Sequence, residues 1–433
     1  MMQENPRYFT DGSGRAVYLA GSHVWQSLQD NDVLTGRSGD DPPEAFDFEH
    51  YLKILSGNGH NFIRLWRWET PKWSSREKVY YCEQHPWLRS GPGLAADGKP
   101  KFDLARFDET YFRRLRERVE AASDLGIYVS VMLFEGAEFQ GSDAWTYHPF
   151  RAANNINGID GDTVEGKGIG YTTMRFGAGA EAALEMQRAY VRKLVDTLND
   201  LDNVLYEIGN EIHPSSTEWQ YAMIRYIKQY QSTKPKQHPV GMTFQHRGGS
   251  NSVLYHSPAD WISPKNLPGD SYYSDPPEDY KGKVIVNDTD HLCGHTCGDN
   301  IWVWKSFLRG LNPILMEELP DSPTWQDSAR FAMGQTIRWA AKINLRGMTP
   351  HGELANTKFC LAEPGSEYLV LQPGGQGYLF LDLTGVEGSF AVQWLDLNRD
   401  AIVDSASVQG GAKRSFVVPF GGPAVLYLKR STE

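Results

Sequence analysis

Cysteine is scarce in this chain: Cys82, Cys293, Cys297 and Cys360 are the only four among 433 residues. So few exclude a scaffold built on disulfides. No apolar run reaches the ~18 residues that a membrane-crossing helix needs, so no membrane span is expected. Basic charge is short as well. Lys and Arg number 43 against 54 Asp and Glu, a formal net charge of −11. Binding phosphates takes a cationic surface, so nucleic acid is not an expected partner. The opening "MMQENPRYFT" has no apolar signal core. The chain as given therefore carries no secretory signal. Its location stays open between the cytoplasm and export with a signal since removed, and its oligomeric state is not legible.

What is abundant is aromatic: 13 Trp, 21 Tyr and 19 Phe. Flat apolar rings with a polar edge suit stacking on sugar rings, and they also suit a large aromatic core. The length exceeds one ordinary core and implies a large barrel-type domain plus a smaller one.

Segments of strand and helix character alternate. "AVYLAGSHVW" (16–25), "NFIRLWRW" (61–68), "GIYVSVMLF" (126–134), "NVLYEIGNE" (203–211) and "HPVGMTF" (238–244) read as short buried strands. "DWISP" (260–264), "KVIVND" (283–288) and "NPILMEE" (312–318) complete a set of eight. Near-continuous apolar runs are what a parallel sheet buried on both faces requires. Helical spacing fills 106–125, 180–200 and 325–345. "SSTEWQYAMIRYIKQY" opens with Ser215 and Glu218 at capping-box spacing. Eight strands alternating with helices predict an α/β fold, a (β/α)8 TIM barrel, with a doubly wound open sheet or a barrel with one strand misassigned as the alternatives. The stretches 69–103 and 135–179 read as long irregular loops on its C-terminal face. From about 355 onward, alternating strands cut by Gly-rich turns predict a small antiparallel β-sandwich. The expected division is a catalytic barrel at 1–350 and a sandwich at 351–433.

In such a barrel, a residue ending a strand points into the active-site mouth. Strand four ends in Asn210-Glu211. A carboxyl group there can act as a general acid, and Asn210 can hydrogen-bond a substrate hydroxyl. The ordinary alternative for Glu211 is a loop cap or an arginine partner. His23 and Trp25 end strand one, Trp66 and Trp68 strand two, and Glu135 strand three. His246 follows strand five, and Asp290 and His291 follow strand seven. Each is a candidate contact to sugar hydroxyls or part of a stacking wall. Each could equally be a packed aromatic or a satisfied histidine.

"YEIGNE" resembles the acid/base motif of the retaining glycoside hydrolases of the clan-A barrel superfamily. Arg64 in "FIRLWRW" stands where that superfamily carries a strand-two arginine that steadies the nucleophile. "DTDHLCG", "WVWKSFLRGLNPILM", "AMGQTIRWAAKINLRGMTP" and "FCLAEPGSEYLVLQPGG" together resemble an uncharacterised bacterial glycoside-hydrolase-like family whose C-terminal sandwich often carries a collagen-binding label. The resemblance implies double displacement by two carboxylates on an oligo- or polysaccharide of plant or microbial origin, with water as the second nucleophile and no cofactor. It also implies a Glu at the end of strand seven, where this chain has Asp288 and then Asp290. Asp288 is the first candidate nucleophile, with Glu317 and Asp290 behind it.

Two other readings follow from particular residues. The missing strand-seven Glu suits a non-catalytic carbohydrate-binding protein on a barrel scaffold. "HLCGHTCG" (291–298) offers His291, Cys293, His295 and Cys297 to a metal-dependent hydrolase. Alternating ligands on so short a segment cannot easily surround one ion. No metal is therefore expected, and Cys293 and Cys297 are either a disulfide or two loop thiols.

Overall fold

The structure is a computed structural model and describes all residues except 34–41, 76–77, 174–179, 270, 320–323, 375–376 and 432–433. The end of the 135–179 stretch and part of the 373–376 turn therefore lie outside the described residues.

Eight strands pair into a closed barrel. They are β1 (Gly21–His23), β2 (Phe62–Leu65), β3 (Tyr128–Met132), β4 (Val204–Glu207), β5 (Val240–Thr243), β6 (Trp261–Ser263), β7 (Val284–Asp288) and β8 (Asn312–Met316). Each lies inside one of the eight apolar runs read from the sequence. Pairing is parallel, as between Val129 and Val204 or Val286 and Asn312. Helices α1 (Phe48–Gly57), α2 (Glu109–Asp124), α3 (Ala180–Leu198), α4 (Thr217–Gln231) and α5 (Asn251–Tyr255) follow the first five strands in turn. The short α6 (Thr289–Leu292) and α7 (Asn300–Leu308) follow β7, and α8 (Asp327–Lys342) follows β8.

Three local expectations need correction. The 69–103 stretch is not irregular. Lys72–Ser75 pairs with Lys78–Cys82, and Trp87–Leu94 pairs with Pro100–Phe107, both antiparallel. The Gly and Pro residues that read as loop sit inside a bulged ladder. The 135–179 stretch carries four single turns of 3-10 helix. At the start of α4, Pro214 begins a 3-10 turn, so the N-cap is Ser216, without a side-chain cap bond. Ser215 instead meets His213 Nδ1 at 2.9 Å.

By compactness the chain divides into one unit of Met1–Ser22, Ile54–Phe62 and Pro264–Glu433, and another of His23–Lys53 and Ile63–Ser263. The first unit contains the C-terminal sheets. Strands β9 (Thr349–Pro350), β10 (Cys360–Glu363), β11 (Glu367–Gln372), β13 (Ser389–Asp396), β14 (Ala401–Gln409) and β16 (Ala424–Arg430) form a six-stranded sheet in the order β9-β10-β11-β16-β13-β14. Strands β12 (Tyr378–Asp382) and β15 (Lys413–Val417) form a separate antiparallel pair.

Within the large sheet β11 is covered on both faces and has no exposed residue. Tyr368 and Val370 point into a core with Leu379, Leu381, Trp394 and Phe416. Leu369 and Leu371, one residue out of phase, join Trp304, Phe307, Met333 and Trp339 of α7 and α8. Tyr427 meets Trp339 edge-on at 5.1 Å. Removing 351–433 strips that second cluster of its cover. At about 25 cal/mol per Å2, re-exposing several large apolar side chains costs about as much as the whole margin of a typical domain. A 1–350 fragment is expected to be insoluble on expression. A soluble fragment with an unchanged Tm would show that the sheet covers nothing of consequence.

Candidate active site

The second unit assembles a buried charged network under Asn210-Glu211. Arg64 on β2 and Glu207 on β4 are both almost fully buried, and they pair side-on. Nε donates to Oε2 at 2.9 Å and Nη2 to Oε1 at 2.7 Å. Burying two charges is costly, and this fork geometry is what offsets the cost. Nη2 also donates to Asn210 Oδ1 at 3.2 Å. The Asn210 amide nitrogen faces both Glu135 oxygens at 3.5 Å. Asn210 is thus oriented from both ends. Glu135 is itself held, its carboxylate accepting from Ala137 N at 2.6 Å and its backbone N–H donating to Glu69 at 3.2 Å.

Glu211 has φ of +46°, a left-handed conformation that non-glycine residues rarely adopt. Two glycines make it reachable. A Cβ on Gly209 would stand 2.6 Å from Phe134 O, and one on Gly136 would stand 2.4 Å from Ile212 Cα. The ends of β3 and β4 therefore approach more closely than any side chain allows, and the chain kicks outward at Glu211. Gln140 Nε2 pins the Glu211 carbonyl at 2.8 Å. The Glu211 side chain is 18% exposed, and His246 Nδ1 stands 3.4 Å from Oε1. Asn210 is locked inward, while Glu211 is strained outward and left partly accessible.

Aromatic rings continue from this network. His23 stacks on Trp66 at 5.7 Å, and Trp66 lies 5.7 Å from Trp68, with Trp25 edge-on to Trp68 at 5.8 Å. Trp68 stacks on Trp73 at 4.6 Å, and Trp73 stacks on Tyr80 at 5.0 Å. Arg64 lies 4.9 Å over the Trp66 ring. The indole nitrogens of Trp25 and Trp66 are buried without a hydrogen-bond partner among the described residues. The structure thus brings Arg64, Asn210, Glu135, Glu211, His246, His23, Trp25, Trp66 and Trp68 into one unit, linked by these contacts.

Asp288, Asp290, His291 and Glu317 belong to the other unit. Asp288 is the last residue of β7, is buried, and caps α6 by accepting from Asp290 N at 2.9 Å. Thr289 Oγ1 accepts Met316 N at 2.8 Å, tying the end of β7 to that of β8. Ligand atoms of Asp288, Asp290 and His291 lie within 4.8 Å of one another, a set that could hold a cation. Glu317 comes one residue after β8. Its buried carboxylate accepts from Arg330 Nε, whose Nη1 reaches Asp327, and its Oε1 has no hydrogen-bond partner among the described residues. Cys293 and Cys297 are joined as a disulfide, so they offer no thiolates to a metal. His295 stands 3.6 Å from Glu318. As a disulfide the two cysteines add no ligand to His291, which stands instead with Asp288 and Asp290.

Glu207, Arg67, Glu69, Glu138 and His148 were not picked out from sequence. Arg67 grips Glu69 at 2.8 Å, and His148 Nε2 stands 3.5 Å from the same carboxylate. The signal was available. A charge within an apolar run, as in "VLYEIG" and "LWRWE", must find a buried partner. Burial pushes the Glu138 carboxyl well above the usual carboxylate range, and the Glu69 carboxylate adds to the shift. Burial lowers His148 and His60. It takes His85 from its ordinary 6.5 down to about 3, helped by the Arg89 charge.

A depressed histidine contributes stability that is present above its unfolded pKa and lost as pH falls through the folded one. For His85 that window runs from 6.5 down to about 3, and a shift of this size corresponds to roughly 4–5 kcal/mol. Tm should therefore fall as the pH is lowered through that window. In His85→Gln the fall should be shallower. Glu138 titrates with the opposite sign and is common to both proteins, so it cancels in the comparison. Parallel Tm–pH curves for the two proteins would remove His85 from the acid response.

The family described as "Domain of unknown function (DUF6298)" matches residues 60–253, which hold Arg64, Glu135, Asn210, Glu211 and His246. No curated protein matches the chain. Among solved structures, one titled "Glycoside hydrolase" is 11% identical with a TM-score of 0.61, covering 100% of this chain and 96% of that one. A glycoside hydrolase family 5 structure from Bacteroides vulgatus ATCC 8482 is 12% identical with a TM-score of 0.61, covering 100% and 93%. At such identity the likeness establishes a shared barrel-plus-sandwich fold.

Proposed function

We propose that this protein is a retaining glycoside hydrolase acting on a plant- or microbe-derived oligo- or polysaccharide, with a catalytic barrel at 1–350 and an accessory sandwich at 351–433. The observation that carries this reading is the strand-four tip: a partly accessible Glu211 in a left-handed conformation, beside an Asn210 fixed between Arg64 and Glu135. The likeness in fold to glycoside hydrolases supports it.

In this reading Glu211 protonates the glycosidic oxygen as the bond breaks. Asp288 attacks the anomeric carbon and forms a glycosyl-enzyme. Glu211 then takes a proton from water, which releases the sugar with its configuration restored. Double displacement of this kind uses two carboxyl groups about 5–5.5 Å apart. Arg64, through Asn210, keeps the amide pointed at a sugar hydroxyl. His23, Trp25, Trp66, Trp68, Glu135, His246, Asp290 and His291 would bind the sugar, the free indole N–H groups serving as donors.

The experiment is a panel of aryl glycosides, with the anomer of the first product read by proton NMR. Turnover with retention is expected. Inversion would overturn double displacement. Absence of turnover with retained sugar binding would favour the non-catalytic reading. That reading has its own observation: Asp288 is one methylene shorter than a glutamate and is already engaged in capping α6.

A further inference from the structure

The outer face of the β12–β15 pair presents neighbouring aromatic side chains to solvent. β12 alternates strictly. Leu379 and Leu381 are fully buried in the sandwich core, while Tyr378 and Phe380 are 64% and 47% exposed. On β15, Phe416 is buried and Val417 is 65% exposed. The register sets Tyr378 opposite Val417, Phe380 opposite Ser415, and Asp382 opposite Lys413. Single exposed apolar residues need no explanation, but three adjacent ones on a flat face do. The two rings stand 6.2 Å apart and are tilted by 37°.

The strand beneath them is pinned on both edges. β15 pairs along one. Along the other, Asn356 Nδ2 donates to Tyr378 O at 3.0 Å, and Phe380 N donates to Asn356 Oδ1 at 2.8 Å. Ala355 bridges to Leu381 on the same side. A side-chain amide thus imitates a neighbouring strand. It fixes the backbone of both aromatic residues, and it leaves β12 no open edge for another strand to join.

We propose that this face is a second carbohydrate-binding surface, a platform on which Tyr378 and Phe380 stack against the apolar faces of successive sugars in an uncharged polysaccharide. Three features select that occupant. The charges on the face, Asp382 and Lys413, neutralise each other at 3.4 Å, which matches a neutral partner. A second copy of the chain would bring its own net charge of −11 against the same excess. Three exposed apolar side chains also fall far short of the ~800 Å2 per partner of a standard interface. Two rings presented side by side on a rigid strand suit a ligand that is itself a row of flat rings with hydroxyl edges. Tyr378 adds a hydroxyl, and Ser415 supplies a second polar group on the ladder. The choice of a glycan rests on the glycosidase reading, and the site itself is separate from the barrel.

The test is retention of the full chain on insoluble cellulose, mannan, xylan and chitin. It compares the wild type with Tyr378→Ala/Phe380→Ala and with Tyr378→Ala alone. The wild type should be retained on at least one polymer. The double variant should bind at least about tenfold more weakly, each stacked ring being worth on the order of 1 kcal/mol. The single variant should fall between them. Tm and turnover of soluble aryl glycosides should be unchanged, because neither ring packs in a core. Equal retention of all three proteins overturns the proposal, as does failure of the wild type to bind any polymer. A dimer that the double variant converts to a monomer gives the face to self-association and overturns it too. Ring-dependent retention without any glycosidase activity would sink the enzyme reading and leave the platform standing. Activity with ring-independent retention would do the reverse.

Discussion

Glu211→Gln should lower turnover of natural glycosides by about 10²–10⁴-fold, the usual contribution of a general acid. Glutamine keeps the size and the left-handed backbone, and it can still meet His246. It cannot give a proton to the departing oxygen. Aryl glycosides with activated leaving groups should suffer far less in the first step, because their phenolate departs unprotonated. They should slow instead in the second step, where Glu211 acts as base, so a burst of phenol should precede a slow steady state. Unchanged turnover of a natural oligosaccharide would remove Glu211 from the mechanism. The Tm should hold, since the side chain is partly exposed and strained rather than packed.

The larger loss belongs to the nucleophile. Asp288→Gly should reduce turnover by on the order of 10⁴-fold or more. Added azide or formate should partly restore cleavage and give product of inverted configuration. The small anion fills the vacated space and attacks from the same side, and no glycosyl-enzyme forms to invert a second time. Asp288 also caps α6, so Asp288→Asn is the companion variant. It keeps an oxygen for Asp290 N yet cannot attack. If the cap alone mattered, Asn would be active. Glu317→Gly should show no anion rescue, because its carboxylate is committed to Arg330. A 2-fluoro glycoside inactivator should label the peptide containing Asp288. Labelling at Glu317 would move the nucleophile to the end of β8.

Much of this molecule is legible in one dimension. Strands buried on both faces sit in near-continuous apolar runs, so all eight barrel strands stand out, including the three-residue β6. Asn210 and Glu211 are conspicuous because a polar pair closes such a run. The alternation of β12 and β15 announces a sheet with one face inward.

Other features exist only through contacts between distant segments. Arg64 and Glu207 lie 143 residues apart, and each reads as an isolated charge in an apolar run until the fold pairs them. The strain at Glu211 arises from how closely β3 and β4 approach at Gly136 and Gly209. Local preference would never choose it. Why β11 is buried throughout, although antiparallel, is decided by α7 and α8 covering its second face. Propensity and periodicity report which groups must leave water. Which partner each then meets depends on chain closure over tens to hundreds of residues, and only the tertiary structure decides it.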